Sequence, residues 1–121
     1  MKVGGGRRGE EGAATAELAV ALPSLVLVLA VSLAALDLGI AQVRCVDAAR
    51  VGARLLARGE PAGPALEEVR AAGPPGARVT VDTSESRVRV TVTGSVPKLL
   101  APLRVPVAPR ATAVARIEDA P

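Results

Sequence analysis

Glu17 and Gly12 are the residues whose types and spacing most suggest chemistry. Glu17 is a carboxylate set directly before the apolar run Leu18 to Leu36, LAVALPSLVLVLAVSLAAL, which holds nineteen residues without a charge. An acid at mid-membrane costs on the order of 2.5–3.5 kcal/mol, less near the interface, so such a residue needs a reason or a partner. Gly12 lies five positions earlier, behind the basic residues Lys2, Arg7 and Arg8. A cut between Gly12 and Ala13 would free an α-amine four residues from Glu17, roughly one helical turn away. The two opposite charges could then meet, within one subunit or between neighbours.

The remaining side chains exclude more chemistry than they offer. There is no His and only one Cys, Cys45, which removes zinc sites of the usual type and both Ser-His-Asp and Cys-His arrangements. Glu67 with Glu68 and Glu118 with Asp119 are paired carboxylates, but adjacent residues on a helix do not face each other. No enzyme, no cofactor, no metal and no small-molecule substrate are therefore expected. The net charge of +3 and pI near 10.0 raise nucleic acid as a partner, yet the arginines are scattered among acids and no aromatic residue is available for stacking. No nucleic-acid partner is expected. Cys45 is either a small buried apolar residue or an intermolecular crosslink.

A membrane-crossing helix is the element that would position Glu17. Nineteen helical residues rise about 28 Å, close to the hydrocarbon thickness of a bilayer. Pro23 and Ser24 predict a kink there without a break. Positive residues before a first apolar segment favour a cytoplasmic N-terminus and an extracytoplasmic C-terminus. Residues 1–12, MKVGGGRRGEEG, read either as a cleaved leader or as a solvated tail that orients the helix. A secretory signal peptide is the competing reading, because Ser32-Leu33-Ala34 fits the small-x-small rule and would release a chain starting near Ala35.

The helix is expected to continue to about Arg58. Leu36, Ile40, Val43, Val46, Ala49, Ala53 and Leu56 form one apolar stripe, and Arg44, Asp47, Arg50, Arg54 and Arg58 form a charged one. The charged stripe is a solvated face or meets headgroups or an acidic partner. Ala35 with Gly39, and Ala48 with Gly52, are small-xxx-small pairs that allow close helix approach, read here as a helix interface; local flexibility explains the glycines equally. Gly59 to Pro64 ends the helix, and a short second helix is expected from about Pro64 to Ala72, with Leu66 and Val69 inward.

Beyond Gly76 the period changes to two. Val79 and Val81, then Val88, Val90 and Val92, alternate with polar residues around the turn Thr83 to Ser86, which predicts a hairpin with one valine face. Pro97, Pro102, Pro106 and Pro109 confine 96–108 to loop or irregular edge, and a third strand is expected at about 111–117. The fold class is thus α+β: a long N-terminal helix, a short second helix and a small antiparallel sheet of about three strands. With no Phe, Tyr or Trp, its core of Ala, Val and Leu should be marginal alone.

A basic leader, a glycine, a glutamate at the fifth place after it and a long apolar helix form the pattern read by prepilin peptidases. Arg7-Arg8-Gly9, Gly12 through Ala19, Leu22-Pro23 and Asp47 through Arg54 resemble the TadE-like family of pilus-assembly proteins, over about residues 7 to 58. That resemblance implies a pilin-like, single-pass structural subunit that helps build or initiate a tight-adherence (type IV-like) pilus or related secretion apparatus. It implies processing at Gly12 and Ala13, and Glu17 as the assembly contact. Its expected partners are membrane lipid, other pilin-like subunits, the pilus assembly platform and a prepilin peptidase. The expected organisation is a cytoplasmic leader at 1–12, the transmembrane and amphipathic helix at 13–58 and an extracytoplasmic α+β region at 59–121. The alternative is an exported or membrane-tethered binding module, released by signal peptidase or held by an uncleaved anchor.

Overall fold

The computed structural model describes residues 5–98, 100–104 and 107–118. The chain is α+β, as the change of hydrophobic period predicts. Helix α1 spans Gly5–Ala57 and α2 spans Ala62–Ala72; strands β1 Arg78–Thr83, β2 Arg87–Thr93 and β3 Arg110–Arg116 follow, with a 3-10 turn at Ala101–Leu103 before the last strand. Two compact units divide the chain, Met1–Leu33 and Ala34–Pro121, so the outer part of α1 belongs with the sheet.

In the first unit the chain is helical from Gly5 onward, where the sequence suggested a leader or a solvated tail. Extending an existing helix gains one hydrogen bond per residue fixed, so the residues before Glu17 join it cheaply. Pro23 lies inside α1 and does not break it. The serine hydroxyls find partners one turn back: Ser24 Oγ donates to the Val20 carbonyl at 2.8 Å and Ser32 Oγ to the Val28 carbonyl at 2.7 Å.

The second unit is built around the valine face of the sheet. Its strands are antiparallel in the order β1-β2-β3, with Val90 opposite Val81 on one side and Ala113 on the other. Val88, Val90 and Val92 of β2 are buried against Cys45, Ala48, Ala49 and Ala53 of α1 and Val69 of α2. The outer part of α1 thus supplies the cover that a one-sided sheet needs. Along α2, Ala65 and Val69 are buried and Leu66 is half-buried, while Glu67, Glu68 and Arg70 are exposed. This helix begins at Ala62 instead of Pro64, because proline is tolerated in a first helical turn.

The face that α1 buries is not the whole stripe read from the sequence. Leu36, Ile40 and Val43 are exposed, whereas Cys45, Ala48, Gly52 and Ala53 are buried. The reason is steric. A Cβ on Gly52 would stand 2.6 Å from Val69 Cγ2 and 3.2 Å from Val90 Cγ1, so the backbone of α1 lies too close to admit larger residues. Volume, not hydrophobicity, selects this face.

Defined hydrogen bonds close α1 and hold β3 to it. Gly59, at φ +84°, donates its N–H to the Leu56 carbonyl while Glu60 N–H reaches Leu55, the paired bonds of a Schellman stop. Gln42 binds the backbone of Arg110 twice, donating from Nε2 to its carbonyl at 2.8 Å and accepting its N–H at 2.9 Å. Just past β3, Glu118 N–H donates to the Ala57 carbonyl at 3.0 Å. Pro106, which the sequence assigned to the proline loop, and the last three residues lie outside the described residues.

Candidate functional site

The first unit presents an uncovered apolar helix surface. Helix α1 is long and apolar enough to cross a membrane: its most apolar 18-residue window has a mean hydropathy of 2.5, and only 6% of that window is buried. Leu18, Val20, Leu25 and Leu29 are 57–70% exposed. Because Ser24 and Ser32 bond back to the helix, the run from Leu18 to Leu36 offers lipid no unpaired side-chain polar group.

The residues that the sequence offered for processing and assembly contact sit on the same helix. Gly12, Ala13 and Glu17 are all exposed, and nothing lies within 4 Å of a Cβ built on Gly12. Asp37, also exposed, is a second acid at the other end of the apolar run, which the sequence reading did not single out. Glu17 and Asp37 lie twenty residues apart in the chain. The signal was available: both are the first charges met on leaving the run.

The structure separates the two small-residue pairs. Ala35 and Gly39 are exposed and, with Leu36, Ile40, Val43 and Arg44, line a shallow apolar hollow of about 460 Å³. Ala48 and Gly52 are buried against the chain's own sheet and α2, so their assignment to a helix interface is corrected to an internal core contact. A small-xxx-small pattern reports close approach without saying what approaches.

Cys45 is fully buried, which settles the choice between packing and crosslinking in favour of packing. Its Sγ lies 3.8 Å from the Pro109 carbonyl. Burial pushes the thiol above its ordinary value of 9.0, with a backbone hydrogen bond at Gly94 acting in the opposite sense. A thiol that ionises later when folded than when unfolded supports the fold at neutral pH and loses that support as pH rises past 9.0. Thiol reagents at pH 7 should therefore leave Cys45 untouched until denaturant is added, and the alkaline fall in stability should be smaller in Cys45→Ala. Rapid labelling of the native protein would contradict this burial.

Five of the thirteen arginines gather on the outer face of the sheet. Arg78, Arg87, Arg89, Arg110 and Arg116 alternate with the inward-facing residues of their strands, and Asp82, opposite Arg89, is the acid among them. Arg87 stands directly opposite Arg116, a like-charge pair across neighbouring strands. Arg116→Glu should raise stability by about 0.5–1 kcal/mol, most clearly at low salt, read as a higher urea midpoint. An unchanged midpoint would mean that both guanidinium groups are already fully screened.

Comparison with known proteins adds one partial relative. Apoptosis inhibitor Rv3655c of Mycobacterium tuberculosis (strain ATCC 25618 / H37Rv) is 44% identical over 77 residues, covering 64% of this chain and 61% of the relative. The chain therefore matches less than two thirds of that relative's length. No family model matches the chain, and no solved structure matches it. These findings correct the resemblance to the TadE-like family: no family model recognises residues 7 to 58, and the relative found carries a different description. The physical reason is the low information of the motif. Its matching residues are largely Ala, Gly, Leu and Arg, and in a chain rich in those four residue types such short matches arise by chance.

Proposed function

We propose that this chain is a membrane-anchored structural subunit that assembles with like chains through its long helix, as a pilin-like component of a pilus or related secretion apparatus. The observation that carries the proposal is the contrast along α1. The leucines and valines of the apolar run are 53–70% exposed from Leu18 to Leu33, while from Cys45 on the helix is packed against its own sheet. Exposure of that much contiguous apolar surface calls for lipid or other helices. On this reading the protein crosses the membrane once, with residues 1–12 cytoplasmic and the α+β unit extracytoplasmic. Glu17 is the polar contact at the cytoplasmic end of the span, made to a neighbour's freed amine at Ala13 or to a membrane platform. No catalytic role is assigned to any residue.

A second reading makes the α+β unit an exported or membrane-tethered binding module. The two readings differ in the mature N-terminus. Mass spectrometry of the protein purified from its host membranes should find a chain that starts at Ala13. A start near Ala35 would favour the exported module, and an intact Met1 would leave a plain anchor; both would end the assembly role of Glu17 as stated.

A further inference from the structure

We propose that the proline loop between β2 and β3 is an interfacial anchor, which lays Leu103 among the upper acyl chains of the membrane and sets Lys98 and Arg104 on anionic lipid headgroups. The proposal rests on the reading of the apolar run of α1 as a membrane span, and adds a second contact with the leaflet from which α1 emerges. The place of the loop is fixed within the second unit. Val107, Ala108 and Pro109 share a hollow of about 360 Å³ with Ala35, Leu38, Gly39 and Gln42 of α1. The loop therefore returns to the helix where the apolar run ends.

The course of β3 shows which end of the sheet this is. Gln42 binds the backbone of Arg110, and Ala57, about 22 Å further along α1, accepts the N–H of Glu118, so β3 and the outer part of α1 run in the same direction. The hairpin turn lies at the far end, since Ile117 N–H donates to the Ser86 carbonyl. On α1 itself Ile40 and Val43 stay exposed beyond Asp37, and the first cation after the apolar run is Arg44, two residues past Gln42. Apolar surface on the helix thus gives way to positive charge at the level of Arg110.

The loop has the chemistry of that boundary. Leu103 is 66% exposed, more than any leucine of the apolar run. One exposed leucine is ordinary by itself, but this one stands beside exposed Ala101 and Pro102 and between the exposed cations Lys98 and Arg104, and residues 94–109 include no acid. An apolar tip between cations matches acyl chains beneath phosphate. An acidic protein surface would satisfy the cations and leave the leucine uncovered, and a second copy of the loop would bring like charges together. The backbone also suits a site with little water. Pro97 and Pro102 have no N–H, and the N–H groups of Leu100, Ala101, Leu103 and Arg104 are all bonded to carbonyls of Pro97, Leu100 and Ala101.

The chain contains no Trp, so a single introduced Trp is a unique fluorophore. Variants of the full chain are reconstituted into vesicles of equal parts phosphatidylcholine and phosphatidylglycerol, with bromine on the acyl chains of the former. Leu103→Trp should be quenched roughly threefold more than Glu85→Trp, whose indole has the same preference for interfaces but sits in the turn at the far end of the sheet. Leu27→Trp reports the span separately and should be quenched most by bromines near the chain ends. Lys98→Glu with Arg104→Glu should bring Leu103→Trp down to the Glu85→Trp level and leave Leu27→Trp unchanged, while a Cys45 closed to thiol reagents shows that each variant is folded. Quenching of Leu103→Trp no greater than that of Glu85→Trp, with Leu27→Trp quenched, would overturn the anchor and leave the span standing. An unquenched Leu27→Trp would overturn both. Blue-shifted but unquenched emission from Leu103→Trp would mean that protein covers the loop, and quenching that survives the two charge reversals would remove the headgroups from it; either result overturns the proposal.

Discussion

Gly52→Val should cost the α+β unit about 3 kcal/mol, a large share of the ~5–15 kcal/mol that holds a typical domain together. The added side chain has nowhere to go. Even its first carbon would meet Val69 at 2.6 Å and Val90 at 3.2 Å, and both valines are fully buried, so neither can swing aside into solvent. Gly39, on the same helix, gives the opposite sign. Nothing lies within 4 Å of a Cβ built there, and Gly39→Ala should stabilise the helix by about 1 kcal/mol. Buried Cys45 is the probe for both variants, because its labelling by a thiol reagent reports opening of this unit in a urea series. Gly52→Val should expose the thiol at a lower urea concentration than the parent protein. Coincident midpoints would contradict the close approach of α1 to the sheet.

Loss of the acid at the start of the apolar run should leave the protein in the membrane but out of assemblies. Glu17→Ala removes no apolar contact and, if anything, eases insertion, since a carboxylate at a lipid boundary is unfavourable. On the proposed function, what it removes is the partner for a positive charge. An interfacial charge pair sheltered from water is worth a few kcal/mol, so recovery of the variant in detergent-stable assemblies should fall roughly tenfold or more. Glu17→Gln should fall nearly as far, because it keeps the size and loses the charge, whereas Glu17→Asp should retain part of the effect. Quantitative recovery of Glu17→Ala in assemblies would remove Glu17 from the proposed function.

The two predictions draw on different levels of legibility. Glu17 could be singled out from the chain alone, because a charge beside nineteen apolar residues is unusual at any resolution of structure. Gly52 was visible only as half of a small-residue pair, and the sequence assigned that pair to the wrong neighbour. The elements themselves were largely readable. Alternating valines gave the hairpin, breakers at Gly59 and Pro61 gave the end of α1, and the third strand fell within one residue of its expected limits. The apolar stripe of α1 was legible only in part, since Leu36, Ile40 and Val43 fit the periodicity yet remain exposed. The family resemblance failed for a related reason, because short runs of small residues fit many helices equally well.

By itself the sequence determined which segments could be helix or strand, and that one of them could lie in lipid. Those properties follow from local periodicity and from solvent preference, which every residue carries with it. Only the tertiary structure decided which face of α1 is buried, that Cys45 is sealed, and that the arginines of three strands share one surface while β1 keeps an open edge. These depend on distances between residues far apart in the chain, and the strand register that sets them is absent from the order of residues along it.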